Sequence, residues 1–174
     1  MRNVTSAFLR ALANDKRDYQ NRLVITLVDN TVIEIDNTRI WDNGVNIQDS
    51  VSANDVLQIG AAIINQGTFT INNIYDDYSE YDFDGAVVVA YTGLNDLDDG
   101  TDEEIKLGTY TVDETKYNGS LIVLTCLDNM AKFDQVYDTN LVYPATLEQI
   151  VLDACSKCGV TLDNSSLNFP HKNY

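Results

Sequence analysis

The feature that most constrains this chain is a succession of short β-branched and aromatic runs, each closed by an Asx or Gly turn pair. No helical stretch of the usual ten to fifteen residues separates them. Leu23-Val24-Ile25-Thr26-Leu27-Val28 and Thr31-Val32-Ile33-Glu34-Ile35 flank Asp29-Asn30, a pair that tolerates positive φ, and predict a hairpin. After Arg39-Ile40-Trp41 a turn is expected at Asn43-Gly44. Strands are expected at Val56-Leu57-Gln58-Ile59-Gly60-Ala61-Ala62-Ile63 and at Thr68-Phe69-Thr70-Ile71-Asn72, around Gln66-Gly67, with Phe69, Ile71 and Ile74 on one buried face.

Gly85-Ala86-Val87-Val88-Val89-Ala90-Tyr91 is apolar enough to predict a central strand buried on both faces. Ile105-Lys106-Leu107-Gly108-Thr109-Tyr110-Thr111-Val112 pairs naturally with Ser120-Leu121-Ile122-Val123-Leu124-Thr125-Cys126-Leu127 across Asn118-Gly119. About six to eight short strands with close turns favour an antiparallel barrel or sandwich over a parallel βαβ sheet.

Two helices complete the pattern. Residues 6–14 have Phe8, Leu9 and Leu12 on one side and Ser6 as the expected cap, which predicts a short leading helix. Leu147, Ile150, Val151, Ala154 and Cys158 recur at helical spacing, with Gly159 where a helix would stop, which predicts a helix over about 147–157. The fold class is mainly β with minor α. Residues 164–174 carry no regular pattern, and the sequence is expected to be a piece of a longer protein.

Composition narrows the function. Hydrophobic residues at 44% and charged residues at 22% of 174 suffice for a core and argue against disorder. No uncharged apolar run is long enough for a membrane span, and no basic, apolar leader opens the chain, so synthesis in a cytoplasm is the expectation. Three cysteines, an odd number, predict free thiols in a reducing compartment. A net charge of −16 weighs against binding nucleic acid through phosphates. Residues 40–105 contain no Lys or Arg, while Asp76, Asp77, Glu80, Asp82, Asp84, Asp96, Asp98, Asp99, Asp102, Glu103 and Glu104 crowd the second half of that stretch, so one strongly negative face or rim is expected.

Chemistry is hard to find. Cys155-Ser156-Lys157-Cys158 has C-x-x-C spacing but closes a helix instead of opening one, which disfavours a reactive thiolate, and core cysteines are the expectation. Cys126 and His171 are the remaining soft or imidazole candidates for zinc, at spacings that fit no common module. His171, the lone histidine, is a poor basis for a triad. In the acidic loop 95–104, placing Gly100 at the sixth EF-hand position puts Leu97 at the third and Lys106 at the twelfth, so the calcium pattern fails. No catalytic, metal or cofactor residue is assigned, and the chain is not expected to be an enzyme.

The strands themselves carry a resemblance. Ile59-Gly60-Ala61-Ala62 with Gly67-Thr68-Phe69-Thr70-Ile71-Asn72-Asn73, the aromatic-acidic run Tyr78-Ser79-Glu80-Tyr81-Asp82-Phe83-Asp84-Gly85-Ala86, and Tyr143-Pro144-Ala145-Thr146-Leu147 are similar to the N-terminal region of hub and tail-associated proteins of long-tailed phages and prophages. The closest wording lies in Glu104-Ile105-Lys106-Leu107-Gly108-Thr109-Tyr110-Thr111-Val112-Asp113-Glu114 and Leu124-Thr125-Cys126-Leu127-Asp128-Asn129-Met130-Ala131-Lys132-Phe133-Asp134.

What this resemblance implies is a barrel-like tube domain over residues 1–128 and the start of a second, helix-containing domain over 129–174. It implies a homo-oligomer, a trimer by preference, in a ring at the distal end of a virion tail, beside tail tube, baseplate and tail-spike proteins. DNA would pass its lumen without specific binding. Two alternatives stay open: a β-sandwich binding cell-surface carbohydrate through Trp41, Tyr75, Tyr78 and Tyr81, and the non-catalytic part of a tail-associated cell-wall hydrolase.

Overall fold

In the computed structural model, which describes residues 4–49, 63–98 and 100–162, the elements run α1 (Ser6–Leu12), β1 (Tyr19–Thr26), β2 (Val32–Ile35), β3 (Ile40–Gln48), β4 (Gln66–Asn72), β5 (Val87–Leu94), β6 (Glu103–Asn118), β7 (Leu121–Asp128), a 3-10 turn (Asn129–Phe133) and α2 (Leu147–Lys157). The chain falls into two units, Met1–Asp128 and Asn129–Tyr174. The fold is mainly antiparallel β with two short α-helices, as the patterning predicts.

The seven strands form one sheet in the order β2-β1-β5-β6-β7-β4-β3, and every pairing is antiparallel. This sheet cannot be flat. Six strand spacings would separate its edges by about 28 Å, yet the edge strands β2 and β3 are joined by residues 36–39 alone, and the chain from Ile35 to Ile40 reaches at most about 18 Å. The sheet therefore curls until its edges meet at a corner, where the Arg39 and Ile40 amides both donate to the Asp36 carbonyl, at 3.0 and 3.1 Å. All seven strands then face one core, from Leu23, Ile25 and Ile35 on one side to Phe69, Ile71, Ile122 and Leu124 on the other, with Val45 and Ile47 packed beside them.

β6 is the strand that lets the sheet turn over itself. Its 16 residues pair with β5 over residues 103–111 and with β7 over 110–118, so only Tyr110 and Thr111 are paired on both sides. Two bulges bend it, where the register steps past Leu107 against β5 and past Asp113 against β7. Residues 73–86 cross from β4 to β5, which are not neighbours, and carry Phe83 and Ala86 fully into the core. One end of the barrel is thereby plugged by this crossover. The buried Asn73 fixes it: its Nδ2 donates to Ser79 Oγ, its Oδ1 accepts from the Tyr78 amide, and its own amide donates to the Ser120 carbonyl at 2.7 Å.

The β1–β2 hairpin across Asp29-Asn30 and the β6–β7 hairpin across Asn118-Gly119 stand as expected, with Asn30 and Gly119 at φ 69° and 62°. Other details differ from the sequence reading. Asn43-Gly44 is not a turn; Asn43, at φ 56°, and Gly44 lie inside β3 at an irregularity between Ile40 and Val45. A Cβ on Gly44 would sit 2.6 Å from the Thr70 carbonyl oxygen, so the glycine serves close backbone approach. Gln66-Gly67 opens β4 as strand, while the expected strand over 56–63 lies, Ile63 apart, outside the described residues.

β5 is an interior strand but is buried on one face only, because Val87, Val89 and Tyr91 are half-exposed on the outside. Phe69 and Ile71 are fully buried, whereas Ile74 is exposed, since the alternation ends with β4 at Asn72. In α1 the cap is Thr5, not Ser6, and Phe8 is buried while Leu9 points to solvent.

In the second unit α2 begins at a capping box, with the Gln149 amide donating to Thr146 Oγ1 at 3.2 Å and the Thr146 amide to Gln149 Oε1 at 2.8 Å. It ends before Gly159, at φ 63°, as expected. The hydroxyls of Tyr137 and Thr139 both donate to Asp153 Oδ2, at 2.7 and 2.9 Å, tying the preceding segment to the helix. These two hydrogen bonds hold the Asp153 carboxyl below the usual carboxylate range.

Candidate functional site

The acidic residues divide between the two ends of the barrel, because the stretches at 76–84 and 96–104 precede and follow β5. Eight residues of strand hold those ends about 25 Å apart. The expectation of a single negative rim is thus corrected: the chain has two.

At one end the acids are largely consumed by the structure. Arg22 Nη2 donates to Glu104 Oε2 at 2.6 Å, and Arg10 Nε to Asp98 Oδ2 at 3.1 Å. Glu103 takes the Thr5 amide at 3.0 Å and the Thr5 hydroxyl, which fixes the start of α1. Asp102 Oδ1 accepts from the Asp96 amide at 3.1 Å. Leu97, the residue that spoils the EF-hand pattern, is the reason the loop folds as it does: it is buried against Phe8, Ala7 and Leu94 in a small satellite cluster. Among the described residues no group of three or more His, Cys, Asp or Glu side chains is placed to hold a metal ion.

At the crossover end, Asp29, Glu80, Asp82 and Asp84 line an open groove of about 400 Å³ with Leu27, Val28 and Tyr81. The Thr31 amide donates to Asp29 Oδ1 at 2.8 Å and the Asp84 amide to Asp82 Oδ1 at 3.1 Å, so two of these carboxylates also shape their own turns. Hydrogen bonds from Thr31 pull the Asp29 carboxyl down from its ordinary value.

The cysteines are free thiols. Cys126 faces the barrel core, and burial pushes its thiol up to about 12, so it is inert as a nucleophile at neutral pH. Cys155 is buried, and half-buried Cys158 accepts from Gln135 Nε2 at 3.2 Å. His171 lies outside the described residues.

Of the four aromatic residues considered for carbohydrate stacking, Tyr78 and Tyr81 pack against the core, and only Trp41 and Tyr75 are exposed. The Tyr75 ring is itself covered by the Arg39 guanidinium, 5.0 Å from its centroid. No described helix is long and apolar enough to cross a membrane.

No family model matches this chain, and no curated protein does. A solved structure does: a chain of the virion of a native gene transfer agent particle, with a TM-score of 0.52 over 82% of this chain at 12% identity. The two chains share a fold over that stretch. This chain spans about half the length of that one, since the match covers 50% of it. At such identity the likeness shows the shared fold alone, and function has to be argued separately.

Proposed function

We propose that this chain is a non-catalytic structural module of a phage-like tail, a hub or tail-tip component that assembles into a ring between tail tube and tip at the distal end of the virion. The single observation that supports this most is the shared fold with the gene transfer agent virion chain over 82% of the residues. It meets the resemblance read from the strands independently of sequence identity.

The packed interior agrees with a building block. Inward side chains of the described residues fill the interior of the barrel, and the crossover adds Phe83 and Ala86 to that core. A lumen would have to lie between copies, as in a closed ring with heterologous contacts. In this reading the partners are further copies, three by preference, together with tube, baseplate and spike proteins.

The test is the solution mass of the full chain by multi-angle light scattering over a range of concentrations, followed by electron microscopy of any assembly. A trimer or hexamer visible as a ring is expected. A monomer at every concentration, with and without tail components, would overturn the ring.

A further inference from the structure

The crossover end of the barrel carries a surface that the fold does not use. Several close approaches bring together the segments that carry it. A Cβ on Gly85 would lie 3.6 Å from the Val28 side chain. The Tyr117 hydroxyl donates to the Tyr81 carbonyl at 3.3 Å, the Asn73 amide to the Ser120 carbonyl at 2.7 Å, and the Asn72 amide to the Arg39 carbonyl at 2.7 Å. On this rim Val28, Val32, Ile74, Tyr75 and Tyr117 are all more than half exposed, at 75, 58, 63, 74 and 55%. Large apolar side chains gathered at one end and rimmed by polar residues are the pattern of an interaction surface.

The balance of charge around them is negative. Among the described residues the cations at this end are Arg39 and Lys116, and both are engaged, Arg39 Nη2 with Asp77 at 2.7 Å and Lys116 with Glu114 at 2.7 Å. Asp29, Asp76, Glu80, Asp82 and Asp84 have no cationic partner among the described residues. Two copies meeting through this end would press these carboxylates together within a Debye length of about 8 Å, which opposes self-association.

We propose that this end is a docking surface for a cationic protein partner, one that presents apolar side chains ringed by Lys and Arg, and not for a second copy of this chain. Apolar burial supplies the centre of the contact and the carboxylates set the partner's charge. The inference stands apart from the tail-ring reading, since it rests on this one end of one barrel.

The experiment uses the full chain, labelled with 15N, titrated with a blocked peptide of alternating lysine and leucine and, separately, with its glutamate-leucine counterpart. Amide shifts on lysine-leucine addition are expected to centre on Val28, Val32, Ile74, Tyr75 and Tyr117. The glutamate peptide should leave them unmoved. A variant with Asp29→Asn, Glu80→Gln, Asp82→Asn and Asp84→Asn, substitutions that keep the turn acceptors, should weaken the binding by about tenfold or more. A control with Asp15→Asn, Asp18→Asn and Asp96→Asn should bind as the native chain does. Shifts spread over both ends, equal losses in variant and control, or dimerisation of the native chain through this end at low salt would each overturn the proposal.

Discussion

The Arg22 guanidinium lies over the Tyr91 ring, 4.5 Å from its centroid, on the outer face of the sheet. There it reaches across β5 to Glu104 of β6, with Nη2 to Oε2 at 2.6 Å and Nε to both carboxylate oxygens at 3.1 Å. One residue of the acidic stretch thus ties β1 to β6 over the strand between them. The hydrogen bond to Glu104 and its charge raise the pKa of Arg22 against the opposing effect of burial. Arg22→Ala is expected to cost about 1–2 kcal/mol, and a double-mutant cycle with Glu104→Gln to return a coupling of about 1 kcal/mol, since the pair is only partly shielded from water. Urea unfolding of the four proteins measures both values.

Gly93 is expected to tolerate no side chain. A Cβ there would stand 2.3 Å from the Glu103 carbonyl oxygen and 3.0 Å from the Glu104 Cα, backbone atoms held by the β5–β6 ladder. Gly93→Ala should destabilise by about 3 kcal/mol or more through forced backbone shifts. Gly100→Ala, where φ is 74° but nothing lies within 4 Å, should cost about 1 kcal/mol from the backbone alone. Thermal unfolding of the two variants side by side distinguishes the causes.

Asn73 holds the plug of the barrel through three hydrogen bonds, two of them from its side chain. Asn73→Ala leaves the Tyr78 amide and the Ser79 hydroxyl without this partner and is expected to cost about 2–3 kcal/mol. Hydrogen exchange should show the loss concentrated in residues 73–86, with the amides of β1 and β5 protected as before.

Cys126 should make the barrel sensitive to alkali. Its folded pKa of about 12 exceeds the unfolded value of 9.0. The stability it contributes is therefore complete below pH 9 and lost as pH rises toward 12, because the unfolded chain releases a proton that the native core retains. The slope of unfolding free energy between these values should flatten in Cys126→Ala. In native protein at pH 8, iodoacetamide should label Cys158 and spare Cys126.

Asp36 sets the opposite dependence. Hydrogen bonds from the Thr38 hydroxyl and amide lower its carboxyl below the ordinary 3.8. A depressed carboxylate stabilises the fold above its unfolded pKa and ceases to do so as pH falls through the folded one. The stability difference between the native chain and Asp36→Asn should hence be present at pH 5–7 and be lost as pH falls below the ordinary carboxylate range, as acid titration followed by circular dichroism would show.

Local signals carried the elements whose cause is local. Asp29-Asn30 and Asn118-Gly119 made hairpins because positive φ in a tight turn depends on the residues in it. The Thr146 capping box and Gly159 bounded α2 within its own chain segment. The same dipeptide type misled at Asn43-Gly44, where the demand for glycine comes from the Thr70 carbonyl of the neighbouring strand, a contact that the sequence around it does not contain.

What the sequence by itself determined is the strands other than β3, their antiparallel nature and the two helices, since alternation, turn chemistry and capping act over a few residues. Tertiary structure alone decided the strand order, the curl that brings the β3 edge back toward β1, and the fate of the acids. The run at 76–104 looks uniform in one dimension, but β5 passes through its middle and carries its halves to opposite ends of the barrel. One half is then spent on Arg10, Arg22 and Thr5, residues at least 80 positions away in the chain, and the other is left facing solvent around an apolar rim. Charge in a sequence fixes how much repulsion must be placed; only the packing of the sheet fixes where.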